Sequence, residues 1–374
     1  MKIRSLIGSL VSATALVAVS APAFAESRSF VVSMFAPASY NKDGDCSKGV
    51  NIPVGEQYEL DLLAAGYTKD QVELLKTSVD DTTMFGGYNT AWARAVIFRG
   101  KINGKQVNAW VNPASALDPN LNMIDGPTAV GFDLDGKGAD QPTSFEDPFT
   151  KVKGVDNQFF RATGCQTVFR GDDKITPGAY LSAWEVIKGG MPAWLISISG
   201  NDLSKDGDVT VTFDVAVEHV ERDGLSNVLR DMTFRVTTDP RNHHELAATL
   251  SNGIVTLKQP GDILAIFGEE MAYPKVQLSK AQLRFELKKD GTLRGVIGGY
   301  QPWKDALSAG NQANMGSDWV GVYYNLRKSA DANPDPKTGQ NRDISNAYFV
   351  DAVPAFAVST SATAGKGGKK SASR

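Results

Sequence analysis

An α+β, β-rich fold is predicted, with an antiparallel β-sandwich in the C-terminal half and a loop- and helix-containing N-terminal half. Three observations predict it. Strand signals follow one another from residue 193 to residue 358. Within them apolar residues alternate with others, as at Val211, Phe213 and Val215 or at Leu283, Phe285 and Leu287, which is the two-residue period of a half-buried strand. Glycine (36) and proline (17) are frequent enough among 374 residues to punctuate many turns. Hydrophobic residues at 42% and charged residues at 22% exclude a mostly disordered chain, a collagen and a coiled coil.

The first 25 residues read as a secretory signal peptide. Lys2 and Arg4 form its positive end, Leu6–Ser20 its apolar run, and Ala23-Phe24-Ala25 a cleavage signal. No lipobox cysteine sits near the cut. A mixed, loop-rich region is expected over 26–190. Ser27–Phe35 reads as a strand and Asn41–Lys48 as a polar loop. Glu56–Ala65 is helical in pattern and stopped by Gly66. Thr68 with Gln71 three residues on forms a capping box that starts a second helix. A hairpin is expected over 94–111, turning at Asn103-Gly104. Residues 112–155 are Pro-, Asp- and Gly-rich without periodicity. A loop of that length inside a compact region is usually functional or metal-held. Asp156 is positioned to cap a short helix through Arg161, and Tyr180–Ile187 reads as another helix.

The sandwich region is placed at 191–358. Its strands are read at Ala193–Ser199, Val209–Val220, Met232–Thr238, Gly253–Lys258 and Ile263–Phe267. A hairpin follows over Val276–Lys288 and Thr292–Ile297, turning at Asp290-Gly291, and a last strand over Ala347–Val358. Residues 303–327 return to helix or loop. The end, 359–374, is Ser-, Ala-, Gly- and Lys-rich and reads as a disordered basic tail.

No later segment carries 18 consecutive apolar residues, so no transmembrane helix is expected. An outer-membrane barrel needs evenly spaced alternating strands throughout, and the irregular stretches interrupt them. Integral membrane insertion is therefore not expected. Removing Lys2 and Arg4 from the 39 basic residues leaves 37 against 42 acidic, a net charge of −5. An acidic body argues against a nucleic-acid partner. Export places Cys46 and Cys165 in an oxidising compartment, where two cysteines pair more often than not.

The chemical candidate is Asp133-Leu134-Asp135-Gly136-Lys137-Gly138-Ala139-Asp140. Calcium takes six to eight hard oxygens, and alternate carboxylates around a glycine turn can aim several at one point. The ligand set read here is Asp133, Asp135, Asp140, Asp156 and Asn157. The loop lacks the closing acid of an EF-hand, and a solvated acidic turn uses the same residue types for backbone reasons. A second acidic loop, Asn41–Asp45, comes near Asp156 if Cys46 pairs with Cys165. Three histidines without metal spacing argue against zinc, and no nucleophile elbow is present. No organic cofactor is expected. The six tryptophans are read mainly as core, and Gly298–Trp303 as a packed corner.

Gly154-Val155-Asp156-Asn157-Gln158, Arg161 and Gly164-Cys165, with the Asp133–Gly136 loop before them, resemble a signature of uncharacterised secreted proteins of Gram-negative bacteria. The Gly298–Trp303 and Ala352–Phe356 segments extend that resemblance. It implies secretion and adds no activity. The expected function is therefore an exported, periplasmic or secreted, non-catalytic envelope binding or structural protein, calcium-stabilised, with an unidentified protein or polysaccharide partner. A carbohydrate-active enzyme using a carboxylate pair and a subunit of a larger periplasmic assembly are the alternatives.

Overall fold

The computed structural model describes residues 26–52, 56, 59–60, 62–63, 66–77, 100–109, 111–170, 190–267, 275–307 and 319–359. The expected signal peptide, the helix expected at 180–187, the start of the expected hairpin at 94–99 and the tail beyond Ser359 lie outside them. In chain order the strands are β1 (Glu26–Pro37), β2 (Gly100–Ile102), β3 (Lys105–Val107), β4 (Phe145–Glu146), β5 (Lys153–Val155), β6 (Pro192–Gly200), β7 (Gly207–His219), β8 (Met232–Val236), β9 (His244–Ser251), β10 (Ile254–Leu257), β11 (Gly261–Ile266), β12 (Lys275–Leu287), β13 (Leu293–Pro302), β14 (Ala332–Pro334) and β15 (Asn341–Ser359). The helices are α1 (Lys69–Thr77), α2 (Gln158–Thr163) and α3 (Trp319–Ser329).

The predicted sandwich is not formed. Eight strands close into an antiparallel barrel in the order β1-β6-β7-β9-β10-β12-β13-β15, and β15 pairs back onto β1. The closing pairing joins the two ends of the chain, from Ser29↔Ala355 to Pro37↔Tyr348. A half-buried strand shows the same two-residue alternation in a sandwich and in a barrel. The difference lies in pairings between residues more than 300 apart in sequence, which no local pattern carries. The strand series of the C-terminal half is nonetheless close to that expected, apart from β9 and the short β14, neither of which was expected. Three further strands lie off the ring: β8, parallel to the end of β15; β11, on β12; and β14, on β15.

The lumen is apolar and filled. Val211, Phe213, Leu250, Phe285, Ile297 and Val350 are among its buried side chains, which is the packing an eight-stranded barrel accommodates. Outward positions hold Thr212, Glu245, Arg284, Glu286 and Arg294, which keep contact with solvent. The edge of β11 is closed by side chains: Ile266 N–H donates to Asn242 Oδ1 at 2.7 Å.

One flank of the barrel carries a clasp built from residues 38–52, 111–170 and α3. Its apolar contact with the barrel includes Val130 and Phe132 against Val296, Ala347 and Phe349 on the outer faces of β13 and β15. Its own core is Ile124, Ala129, Phe145, Val155, Phe160 and Cys165. Cys46 and Cys165 form the expected disulfide. The predicted capping box is present: Thr68 N–H donates to Gln71 Oε1 at 2.8 Å and Gln71 N–H to Thr68 Oγ1 at 3.2 Å. Gly298–Pro302 continues β13, so the expected corner begins only at Trp303, which is buried edge-on against Tyr323.

Candidate functional site

The clasp brings Asp133, Asp135 and Asp156 together. One carboxylate oxygen from each lies within 4.8 Å of the others. Two backbone features create the meeting. Phe132 and Asp156 form an antiparallel bridge, with Asp156 N–H donating to Phe132 O at 2.8 Å. Gly154, at φ +85°, lies directly against Gly138, so the acidic loop folds onto β5. A Cβ at residue 154 would stand 2.4 Å from Gly138 Cα. Gly154→Ala is therefore expected to cost on the order of 1–3 kcal/mol from the left-handed backbone alone and to push the loop off Asp156. Thermal unfolding of the variant, with and without calcium, checks both effects.

The loop organises itself around its own carboxylates. Asp133 accepts Gly136 N–H at 2.8 Å and Gly138 N–H at 3.0 Å. Asp156 Oδ2 accepts Leu134 N–H at 2.8 Å and Asp135 N–H at 3.3 Å. Asp135 is exposed and bonded by Lys137 Nζ at 2.8 Å and by Gln141. Burial acts to raise its acid, but the bonds from Lys137 and Gln141 outweigh that and hold it below the ordinary value.

Asp156 is different. It is 4% exposed, and burial pushes its carboxyl up to about 7, with Asp135 and Asp331 adding like-charge repulsion against the Leu134 and Asp135 N–H bonds. Asp331 reaches in from the end of α3. Its carboxylate accepts the Ser345 N–H and hydroxyl at 2.8 and 2.7 Å. Burial pushes its acid up to about 6. The Ser345 hydroxyl and N–H bonds offset part of that push, and the acid settles below that of Asp156. Tyr300 closes the barrel side: burial and then the charges of Asp156 and Asp331 drive its phenol upward, so it stays protonated.

The remaining expected ligands go elsewhere. Asp140 is exposed at the end of a single turn, Gly138–Asp140, outside the cluster. Asn157 caps α2 in place of Asp156: Oδ1 accepts Phe160 N–H at 3.1 Å and Nδ2 donates to Val130 O at 2.8 Å. That one-residue shift of the cap leaves Asp156 free for the cluster. Asp45 is buried on its own turn, accepting Lys42 N–H, and its carbonyl accepts the Asp125 and Gly126 N–H groups. Asp331 carries no local signal; it reaches the site only through the packing of α3 against α2 and the barrel.

Comparison with family models, curated proteins and solved structures gave no match. The chemistry of the site thus rests on its geometry. Three carboxylates, a fourth nearby and a single bonded cation among the described residues, Lys137, leave uncompensated negative charge in one place.

Proposed function

We propose that the chain is an exported, non-catalytic binding or structural protein of the envelope, whose clasp holds a hard divalent cation of the calcium class between Asp133, Asp135 and Asp156. The observation that carries this is the convergence of the three carboxylates within 4.8 Å on one buried residue, Asp156. Hard cations take such oxygens, and the charge balance favours one. Asp133 and Asp135 would supply the outer oxygens and Asp156 the inner one. A cation there would order a loop that has little apolar core of its own.

Export is supported by the Cys46–Cys165 disulfide, which belongs to an oxidising compartment. Among the described residues no helix is long and apolar enough to cross a membrane. The polarity of the barrel supports a protein working in water, because a membrane barrel carries its apolar band outside and its polar residues within. The described tryptophans lend nothing to sugar stacking: Trp194, Trp303 and Trp319 are buried in core clusters. A subunit of a larger assembly remains the second reading, favoured by Phe356 and Val358, which are exposed at the end of β15.

The test is thermal unfolding of residues 26–374 in EDTA and in calcium. Calcium at about a hundred times its dissociation constant adds about 2.7 kcal/mol to stability. The midpoint is expected to rise in the wild type and not in Asp133→Asn/Asp135→Asn. The pH sign follows from Asp156. A folded acid raised above its ordinary 3.8 favours the native state when protonated, so in EDTA stability falls as pH rises from about 4 through about 7. Calcium is expected to act more strongly above that window than below it. A midpoint indifferent to calcium at every pH returns the cluster to a solvated acidic turn.

A further inference from the structure

Away from the clasp, one histidine ring on the barrel wall stands between two carboxylates. His243 immediately precedes β9, which lies beside β7 with His244 opposite Phe213. Asp214 follows Phe213 on β7, and its Oδ1 is 2.8 Å from His243 Nδ1. A carboxylate only accepts, so Nδ1 carries a proton and donates it to Asp214. Asp214 is 6% exposed, which makes it a fixed post for the ring. Nε2 is left facing Glu245, whose Oε1 is 3.6 Å away. The His243 and Glu245 side chains are 50% and 63% exposed, so an ion in solution reaches both.

The separation decides what this pair can hold. A charge-assisted hydrogen bond closes to about 2.7–2.9 Å, and 3.6 Å is too long for one. Two ligand atoms of one tetrahedral zinc ion, each about 2.1 Å from the metal, stand about 3.4 Å apart. The observed spacing needs only a small turn of an exposed glutamate to meet it. A carboxylate on the other ring nitrogen is the support that metal-bound histidines commonly carry. Charge points the same way. With the ring neutral, Asp214 and Glu245 leave two negative charges around it, which a divalent ion balances. Arg241, two residues before His243, is taken up by Asp239 at 2.6 Å. His244 stays out of the site because its Nε2 accepts the Leu264 N–H at 3.1 Å.

We propose that His243 Nε2 and the Glu245 carboxylate bind a divalent transition metal of the zinc class, with Asp214 as the positioning residue. Two protein ligands leave the other positions to water, so the ion is exchangeable and open to a further ligand. Nitrogen sets this site apart from the Asp133–Asp156 cluster, since calcium and magnesium take oxygen ligands. The histidines lack the spacing of a helical zinc motif, but on a strand residues two apart share a face. His243 and Glu245 meet in that way, and Asp214 arrives from the neighbouring strand.

The experiment follows the imidazole resonances of the ¹⁵N-labelled chain, residues 26–374, as zinc chloride is added at about pH 7.5, because histidine binds metal as the neutral ring. Magnesium chloride at equal ionic strength is the control. A saturable change at His243 Nε2 is expected with zinc and not with magnesium, and none at His219 or His244. Asp214→Asn is expected to weaken binding about 10–100-fold, the usual effect of losing an outer-shell partner. Glu245→Gln, an exposed change that leaves the fold intact, is expected to weaken it at least about tenfold, since losing a ligand costs no less than losing its support. The proposal is overturned by no saturable change at His243, by an equal change with magnesium, or by zinc binding that Glu245→Gln leaves undiminished. Zinc bound at the acidic cluster alone leaves all three rings unmoved and overturns it as well.

Discussion

Replacing Cys46 and Cys165 by serine is expected to cost about 4–5 kcal/mol, because the bridge closes a loop across a sequence separation of 119 residues. The loss should fall on the clasp rather than on the barrel. The bridge ties the segment after β1 to the end of α2, and neither cysteine lies on a barrel strand. Its neighbours hold the same two segments more weakly. Asn51 bonds the Cys165 carbonyl through its N–H at 2.8 Å and its side chain at 3.1 Å, and Arg170 donates to the Lys42 carbonyl at 3.4 Å. With the bridge gone and hydrogen bonds such as these left to hold it, the clasp is expected to open below the global transition. Hydrogen exchange reads this directly: α2 amides should lose protection while β7 and β12 amides keep theirs. Equal loss of protection in both would show that clasp and barrel unfold as one unit.

The legibility of this fold follows the same division. Whatever depends on neighbours in sequence is readable: the alternation of β7 and β12, the capping box at Thr68, the turn at Asp290-Gly291. The pairing of the cysteines is readable from compartment and number. Closure is not, because the barrel is made by β1 meeting β15, and neither strand differs in pattern from one in a sandwich. The site divides likewise. Asp133 and Asp135 announce themselves as alternate acids before a glycine. Asp156 is visible as an acid before a short helix, yet it reads equally as a helix cap, a role that Asn157 takes. Asp331 and Tyr300 enter through the packing of α3 and β13, which no spacing encodes.

Asp147→Ala is expected to destabilise the protein by about 3–5 kcal/mol, the usual consequence of leaving the partners of a buried ion pair alone. Asp147 is fully buried. Its Oδ1 accepts Phe149 N–H and Thr150 N–H, both at 2.8 Å. Its Oδ2 accepts Gly131 N–H and an Arg284 guanidinium N–H, both at 3.4 Å. Arg284 stands on β12, so this carboxylate joins the clasp to the barrel wall. Burial works to raise its acid, but the Thr150 and Phe149 N–H bonds and then Arg284 overcome that and hold it below the ordinary value. The sign is opposite to that of Asp156. A depressed acid contributes stability above its unfolded value, near 3.8, and loses it as pH falls through the lower folded value. The difference in unfolding free energy between wild type and Asp147→Ala should therefore be constant from neutral pH down to about 4 and shrink below it. Asp156→Asn should show the reverse in EDTA, gaining on the wild type as pH rises through about 7. Two buried aspartates nine residues apart thus separate by their donors. Asp147 has four and keeps its charge for the fold. Asp156 has two backbone donors and faces other carboxylates, which leaves it poised for a proton or a cation. Equal pH profiles for the two variants would remove that distinction, and with it the case for Asp156 as a binding group.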